Sequence, residues 1–179
     1  PAATEVLYAI GAGDRVVGSD KFSNYPDAAL KTPKLDYSKP DPEAALALNP
    51  DLVIMATRQQ EQAKQFRDLK MTVLYLEEAT TIEGVYENIT MFGQLTGQDA
   101  QAQQIVANMR QRVDAVTSKL TAVSKGTRVF YEVTTDLYTA SPDTFIGSTL
   151  KLLKAENIAA GATSKFPQLT AEAVISADP

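Results

Sequence analysis

Three observations predict an α/β fold with mainly parallel sheets, built as two lobes joined by one long helix. Strand-like runs alternate with helical ones along most of the 179 residues. From Gln98 to about Val123, apolar residues recur in steps of three and four: Ala102, Ile105, Val106, Met109, Val113, Val116, Leu120 and Val123. And the octapeptide from Glu43 to Pro50 has an echo from Glu172 to Pro179. The expected division is an N-terminal lobe over 1–97, a linker helix over 98–125 and a C-terminal lobe over 126–179.

The helical stripe leaves Arg110, Gln111, Arg112 and Lys119 for water, and Gly97 and Gly126 punctuate its ends. At 1.5 Å per residue it would span roughly 40 Å, the width of a small domain. Such a helix, with α/β-type sequence on both sides, reads as a strut between lobes. An ordinary surface helix of a single domain is the alternative.

The first lobe opens with a helix from Pro1 to Ile10, which carries Val6, Leu7 and Ile10 on one face and ends at Gly11 and Gly13. Arg15–Gly18 reads as a short strand, and Ser19–Pro26 as a loop rich in Lys, Phe, Asn and Tyr. Asp41 caps a short helix with Pro42 in its first turn, and Asn49-Pro50 stops it. The apolar run Leu52–Ala56 suits a strand buried on both faces. Thr57 to Gln60 follow at its carboxyl end, and a helix continues to about Leu69. Thr72–Leu76 is the next strand, and Thr80-x-x-Glu83 is a capping box for a helix ending at Gly97.

In the second lobe, Arg128–Val133 reads as a strand enriched in β-branched and aromatic residues. A polar loop, Thr134–Thr144, leads to a helix from about Phe145 to Leu153, and a second loop, Gly161–Pro167, to a short helix near Thr170. The two octapeptides share Glu-Ala, two apolar residues and an Asn/Asp-Pro stop. They predict lobes of related build. By the same comparison, a strand is expected ahead of Pro1, and at least one strand–helix–strand portion after Pro179.

Composition narrows the chemistry. The net charge of −5, without a Lys/Arg run, argues against nucleic acid as a partner. No apolar run approaches the ~20 residues that span a bilayer. With no Cys there is no thiol nucleophile or Fe–S cluster, and with no His there is no His-based triad. A zinc site would rest on carboxylates alone. No catalytic residues, metal ligands or cofactor are assigned, and the chain is read as a non-enzyme. With no Trp, aromatic ligand contacts fall to seven Tyr and six Phe.

Residues 1–18 (PAATEVLYAIGAGDRVVG) resemble the opening of the substrate-binding proteins of ABC importers for ferric siderophores, vitamin B12 and haem. Ser23-Asn24-Tyr25-Pro26, Leu48–Ile54, Phe145-Ile146-Gly147, Glu156-Asn157-Ile158-Ala159 and Phe166-Pro167-Gln168-Leu169 resemble further signatures of that family, in order along nearly the whole chain. The resemblance implies two Rossmann-like lobes joined by a single long helix, with the ligand held in the cleft between them. It also implies a periplasmic or extracytoplasmic protein, with or without a lipid anchor, that acts as a monomer with an ABC importer permease.

Ligands of open α/β sheets bind outside the carboxyl ends of the strands. The loops there hold Lys21, Phe22, Tyr25, Thr57, Arg58, Thr134, Tyr138 and Phe166, the candidate ligand-binding residues. Rings with a few cations and hydroxyls suit a large, flat or anionic metal chelate. Each residue also has a plainer role: Tyr25 and Phe166, beside prolines, could plug loops, Arg58 could pair with Glu61, and Lys21 could be solvated. Glu132 is either a pocket group or an edge residue. For permease docking, which in this family uses one acid per lobe, Glu61 is the first-lobe candidate. The second-lobe position near Gly147-Ser148-Thr149 has no carboxylate, and Glu156, the nearest acid, sits elsewhere.

The expected function is capture of a metal chelate, a ferric siderophore first, for delivery to an ABC importer. A corrinoid or haem receptor is the alternative within the family, and a sensor or interaction module the alternative outside it. Zinc and manganese receptors would want histidines, a nitrogenase-type enzyme cysteines. A nucleotide-binding enzyme would want its glycine turn after a strand, whereas Gly11-Ala12-Gly13 ends a helix.

Overall fold

The computed structural model describes residues 1–56 and 59–179, with Gln60 described by its backbone. It is of the α/β class, with three parallel strand pairs among the described residues. The elements are α1 (Ala2–Ala9), β1 (Ser19–Asp20), β2 (Lys34–Leu35), α2 (Pro42–Leu46), β3 (Val53–Ala56), α3 (Gln60–Asp68) and β4 (Val73–Leu76). They continue with α4 (Ile82–Thr96), α5 (Asp99–Thr117), β5 (Arg128–Val129), α6 (Phe145–Leu152), β6 (Glu156–Asn157) and α7 (Ala171–Ala177). The chain divides into two compact units, one of residues 1–78 and 89–105, the other of residues 79–88 and 106–179.

In the first unit β1 pairs with β2 and β3 with β4, Val53 opposite Val73 and Ala56 opposite Leu76. The core under β3 and β4 is Ala45, Met55, Ala63, Phe66 and Met71, rimmed by Leu35, Val53, Leu69, Val73 and Tyr75. Apolar burial of this kind is the main term that holds such a unit together. Within the same unit α4 and α5 approach closely, because Gly93 has no Cβ to collide with the Ala102 methyl. In the second unit Arg110 of α5 makes a two-pronged ion pair with Glu83 of α4 and lies 4.5 Å from the Tyr86 ring centroid.

Helix starts follow their caps. The Asp41 carboxylate accepts from the amides of Glu43 (2.9 Å) and Ala44 (3.1 Å) at the head of α2. Replacing Asp41 with alanine is expected to cost about 1 kcal/mol, read as a lower urea midpoint. Thr144 and Thr170 cap α6 and α7 by accepting from Gly147 N (3.0 Å) and Ala173 N (3.1 Å). The repeated octapeptides behave alike: both helices start on a side-chain cap, and both Asn/Asp-Pro stops place their first residue at positive φ, 48° at Asn49 and 46° at Asp178.

Several expected boundaries are corrected. The helix expected to run to about Val123 ends at Thr117 and gives way to a tighter turn over Ser118–Leu120. At 19 residues it is about 28 Å long. The apolar spacing carries on, but Thr117 and Thr121 turn their hydroxyls onto the carbonyls of Val113 and Ser118 (both 3.2 Å), a competition that favours helix ends.

The strand expected over Arg15–Gly18 starts instead at Ser19, where Ser19 N donates to Pro33 O at 3.0 Å, and Gly13–Arg15 forms a tight turn. The strand expected over Arg128–Val133 stops at Val129, since its partner β6 offers only two residues; Val133 N instead donates to Tyr138 O at 2.7 Å. In β3 only Met55 is fully buried, so the expectation of burial on both faces is not met. The expected capping box at Thr80 is displaced: Thr81 Oγ1 accepts from Gly84 N at 3.0 Å, and Glu83 is engaged with Arg110.

Candidate functional site

The candidate residues fall in both units. In the first, the loops after β1, β2 and β3 are stitched to one another. Lys21 Nζ donates to Asp36 Oδ2 at 2.7 Å, joining the first two loops. The Phe22 and Tyr37 rings meet edge to face at 6.5 Å, and the Lys21 ammonium lies 5.8 Å from the Phe22 centroid. Gln59 joins the third loop, donating to Tyr37 O at 2.9 Å and accepting from Ala56 N at 3.2 Å. Phe22 and Tyr25 still turn outward, 56% and 65% exposed. Neither plugs the core, so that plainer role is excluded for Tyr25.

Electrostatics here centre on Asp36. Hydrogen bonding by Lys21, and then by the amides of Lys39 and Ser38, brings its carboxyl down from 3.8 to about 2. A lowered carboxylate contributes stability that is complete above 3.8 and lost as the pH falls through about 2. Asp36→Asn is therefore expected to melt below the wild type near neutral pH, and the gap is expected to close between pH 3.8 and about 2. A gap that stays constant with pH would mean that the pair with Lys21 does not form in solution.

In the second unit the two loops expected to be separate are one hydrogen-bonded layer. Tyr138 bridges to both Thr134 and Gln168 in antiparallel fashion. Thr139 N donates to Pro167 O and Ser141 N to Lys165 O, each at 2.9 Å. Asn157 anchors the layer to β6, donating from Nδ2 to Ala140 O at 2.8 Å and accepting from Ala159 N at 2.9 Å. Tyr138 is 39% and Phe166 52% exposed, and Thr134 is exposed as well. The layer thus brings Thr134, Tyr138 and Phe166 onto adjoining segments of backbone.

Thr57 and Arg58 lie outside the described residues, and with them the alternative pairing of Arg58 with Glu61. Glu61 is exposed in the first turn of α3, where a carboxylate is favoured by the helix dipole. Glu132 is exposed beyond the end of β5. The layout leaves Asp36, Tyr37, Gln59 and Asn157 as residues that position the loops and that sequence reasoning passed over. Their signal is long-range pairing, which no local spacing carries; only Asn157, inside a family-like motif, was within reach.

Among the described residues no group of three or more acidic side chains is placed to hold a metal ion. Among the same described residues, no helix is long and apolar enough to cross a membrane. A shallow depression in the first unit is lined by Ala9, Ala100, Gln101, Gln104 and Ile105, and another in the second by Arg128, Glu156, Asn157, Ile158 and Ala177. Neither touches a candidate ligand-binding residue.

A family model described as periplasmic binding protein matches residues 1–179. Over the whole chain, it is 36% identical to a cobalamin-binding protein of Halobacterium salinarum, half of whose length (50%) is covered. It is 33% identical, again over 100% of the chain, to an ABC transporter substrate-binding lipoprotein of Bacillus subtilis, 59% of which is covered. The chain thus spans between half and three-fifths of the length of these curated relatives. Among solved structures, a possible iron-binding, periplasmic solute-binding protein of Staphylococcus epidermidis superimposes with a TM-score of 0.86 at 29% identity, over 100% of this chain and 72% of that one. These relatives are named for binding rather than catalysis, as the non-enzyme reading of the sequence expects. The chain belongs to the periplasmic binding protein family.

Proposed function

We propose that the chain is the ligand-capturing part of an extracytoplasmic receptor that delivers a metal-bearing chelate to an ABC importer, and that this chelate is a corrinoid. Phe22, Tyr25, Tyr138 and Phe166 are the contact residues in this reading, with Thr134 and, from the sequence, Thr57 and Arg58 supplying polar contacts. Residues 1–97 and 126–179 serve as the two lobes, with 98–125 as the linker. Glu61 is the contact for the permease in the first lobe, and the protein acts as a monomer.

The observation that carries the corrinoid over the ferric siderophore, which the sequence favours, is the state of Lys21. Its ammonium is engaged by Asp36 at 2.7 Å in an exposed pair, while Phe22 and Tyr25 turn outward beside it, so rings are the larger part of what the loop offers. Rings suit the flat, amide-rimmed face of a corrinoid, which needs hydrophobic contact more than counter-charge. The 36% identity to a cobalamin-binding protein supports the same reading. The ferric siderophore stands second, favoured by the likeness to a possible iron-binding protein and by the charge of Arg58 in the sequence.

The test is titration of the intact protein with cyanocobalamin, the anionic chelate ferric enterobactin and hemin, followed by calorimetry. Saturable binding of cyanocobalamin at one per chain, tighter than either of the others, is expected. Saturation by ferric enterobactin alone would support the second reading. Failure of all three to bind would end the receptor reading.

A further inference from the structure

We propose that Lys34 is a positioning residue for the ring-bearing loop 20–26, an inference that rests on reading this loop as part of the ligand site. Lys34 lies on β2, in register with Ser19 of β1. Its ammonium donates to Ser19 Oγ at 2.9 Å, to the Ser23 carbonyl at 2.6 Å and to the Ala29 carbonyl at 2.8 Å. These acceptors stand before the loop, within it and after it. All three protons of the ammonium are thereby spent on protein oxygens, which is not how a merely solvated lysine behaves.

The middle acceptor lies between the two outward rings. Ser23 is buried, and its hydroxyl donates to Asp20 Oδ2 at 2.6 Å and shares a hydrogen bond with Thr4 Oγ1 at 2.9 Å. Asp20 also accepts from the Phe22 amide at 2.9 Å, and Ser23 N donates to Asp20 O at 3.0 Å. The backbone between Phe22 and Tyr25 is therefore held twice, by Asp20 and by Lys34. An exposed ring on a loosely held loop would lose affinity to the entropy of ordering that loop, and pinning it in advance removes this cost. A compact head with three rotatable donors can meet three acceptors that converge from different segments. A glutamine amide offers two donors and a methionine none.

The test compares Lys34→Met and Lys34→Gln with the wild type, each as the intact protein and each in a Phe22→Ala/Tyr25→Ala background. Cyanocobalamin affinity and amide hydrogen exchange at residues 22–25 are the readouts. Lys34→Met is expected to weaken binding about tenfold and Lys34→Gln less, while adding under about twofold once the rings are gone, as for groups acting through one contact. Exchange at residues 22–25 is expected to rise while the amides of β3 and β4 keep their protection. An equal loss of affinity with and without the rings would overturn the proposal, because it would mark Lys34 as a general stabiliser. Unchanged exchange at residues 22–25 would overturn it too. Should Lys34→Met not fold, Lys34→Gln carries the same comparison. Should the wild type itself not bind cyanocobalamin, the corrinoid reading falls, and the exchange result still decides the role of Lys34.

Discussion

Gly147→Ala is expected to destabilise the protein by about 3 kcal/mol or more, near the top of what one added methyl does. A Cβ at this buried position would strike the Ser141 carbonyl and the Pro142 Cα. Both are backbone atoms, so no rotamer change can make room. The pressure would fall on the turn that starts α6, where Gly147 N donates to Thr144 Oγ1 at 3.0 Å and Thr144 Oγ1 donates to Ser141 O at 2.8 Å. Gly161→Ala is the control, since nothing lies within 4 Å of its added methyl. That change is expected to stay within about 0.5 kcal/mol of the wild type. Denaturant unfolding of both variants measures the contrast. Equal stabilities would mean that the segment 141–147 is not packed as described.

Phe22→Ala combined with Tyr25→Ala is expected to abolish most chelate affinity with little change in melting. Burying one such ring against a ligand stabilises the complex by about 1.5–3 kcal/mol, and each 1.4 kcal/mol is a factor of ten in affinity. The pair should therefore cost on the order of 100-fold or more. Stability should move little, because both rings are more than half exposed and the loop is held by Asp20, Ser23 and Lys34 instead. Phe166→Ala, equally outward, should lose about tenfold on the same grounds. A fall in melting temperature with affinity intact would reassign these rings to structure.

What could be read from the sequence was what is local. The Asp41-Pro42 start, the helix starts near Phe145 and Thr170, and the strand runs of β3 and β4 each follow from neighbours within a few residues. The octapeptide echo was equally visible, down to the Asn and Asp that take positive φ before proline. The stripe of α5 told its face but not its end, because an apolar period says nothing about hydroxyls competing for carbonyls at Thr117 and Thr121. Strand length at β5 was invisible for a related reason: it is set by β6, some 28 residues away, whose two residues limit the pairing.

The site divides the same way. Loops at the carboxyl ends of strands, and the rings on them, could be named from the chain alone. The outward turn of those rings could not, nor could the pairing of Lys21 with Asp36, which engages one of the few cations expected there. Positive charge in a binding loop is informative only once its partner is known. Local sequence could not give that partner, which stands 15 positions away.

The proposed function makes the outward rings of loop 20–26, and separately those of the layer formed by Thr134–Ser141 and Lys165–Gln168, contacts for a flat metal chelate. The most direct measurement is hydrogen exchange of the intact protein with and without saturating cyanocobalamin, resolved to single amides. Protection is expected at residues 22–25, 138–140, 165 and 166, with the amides of β3 and β4 unchanged. Protection confined to the depression around Ala9 and Gln101–Ile105, with those segments unaffected, would contradict it.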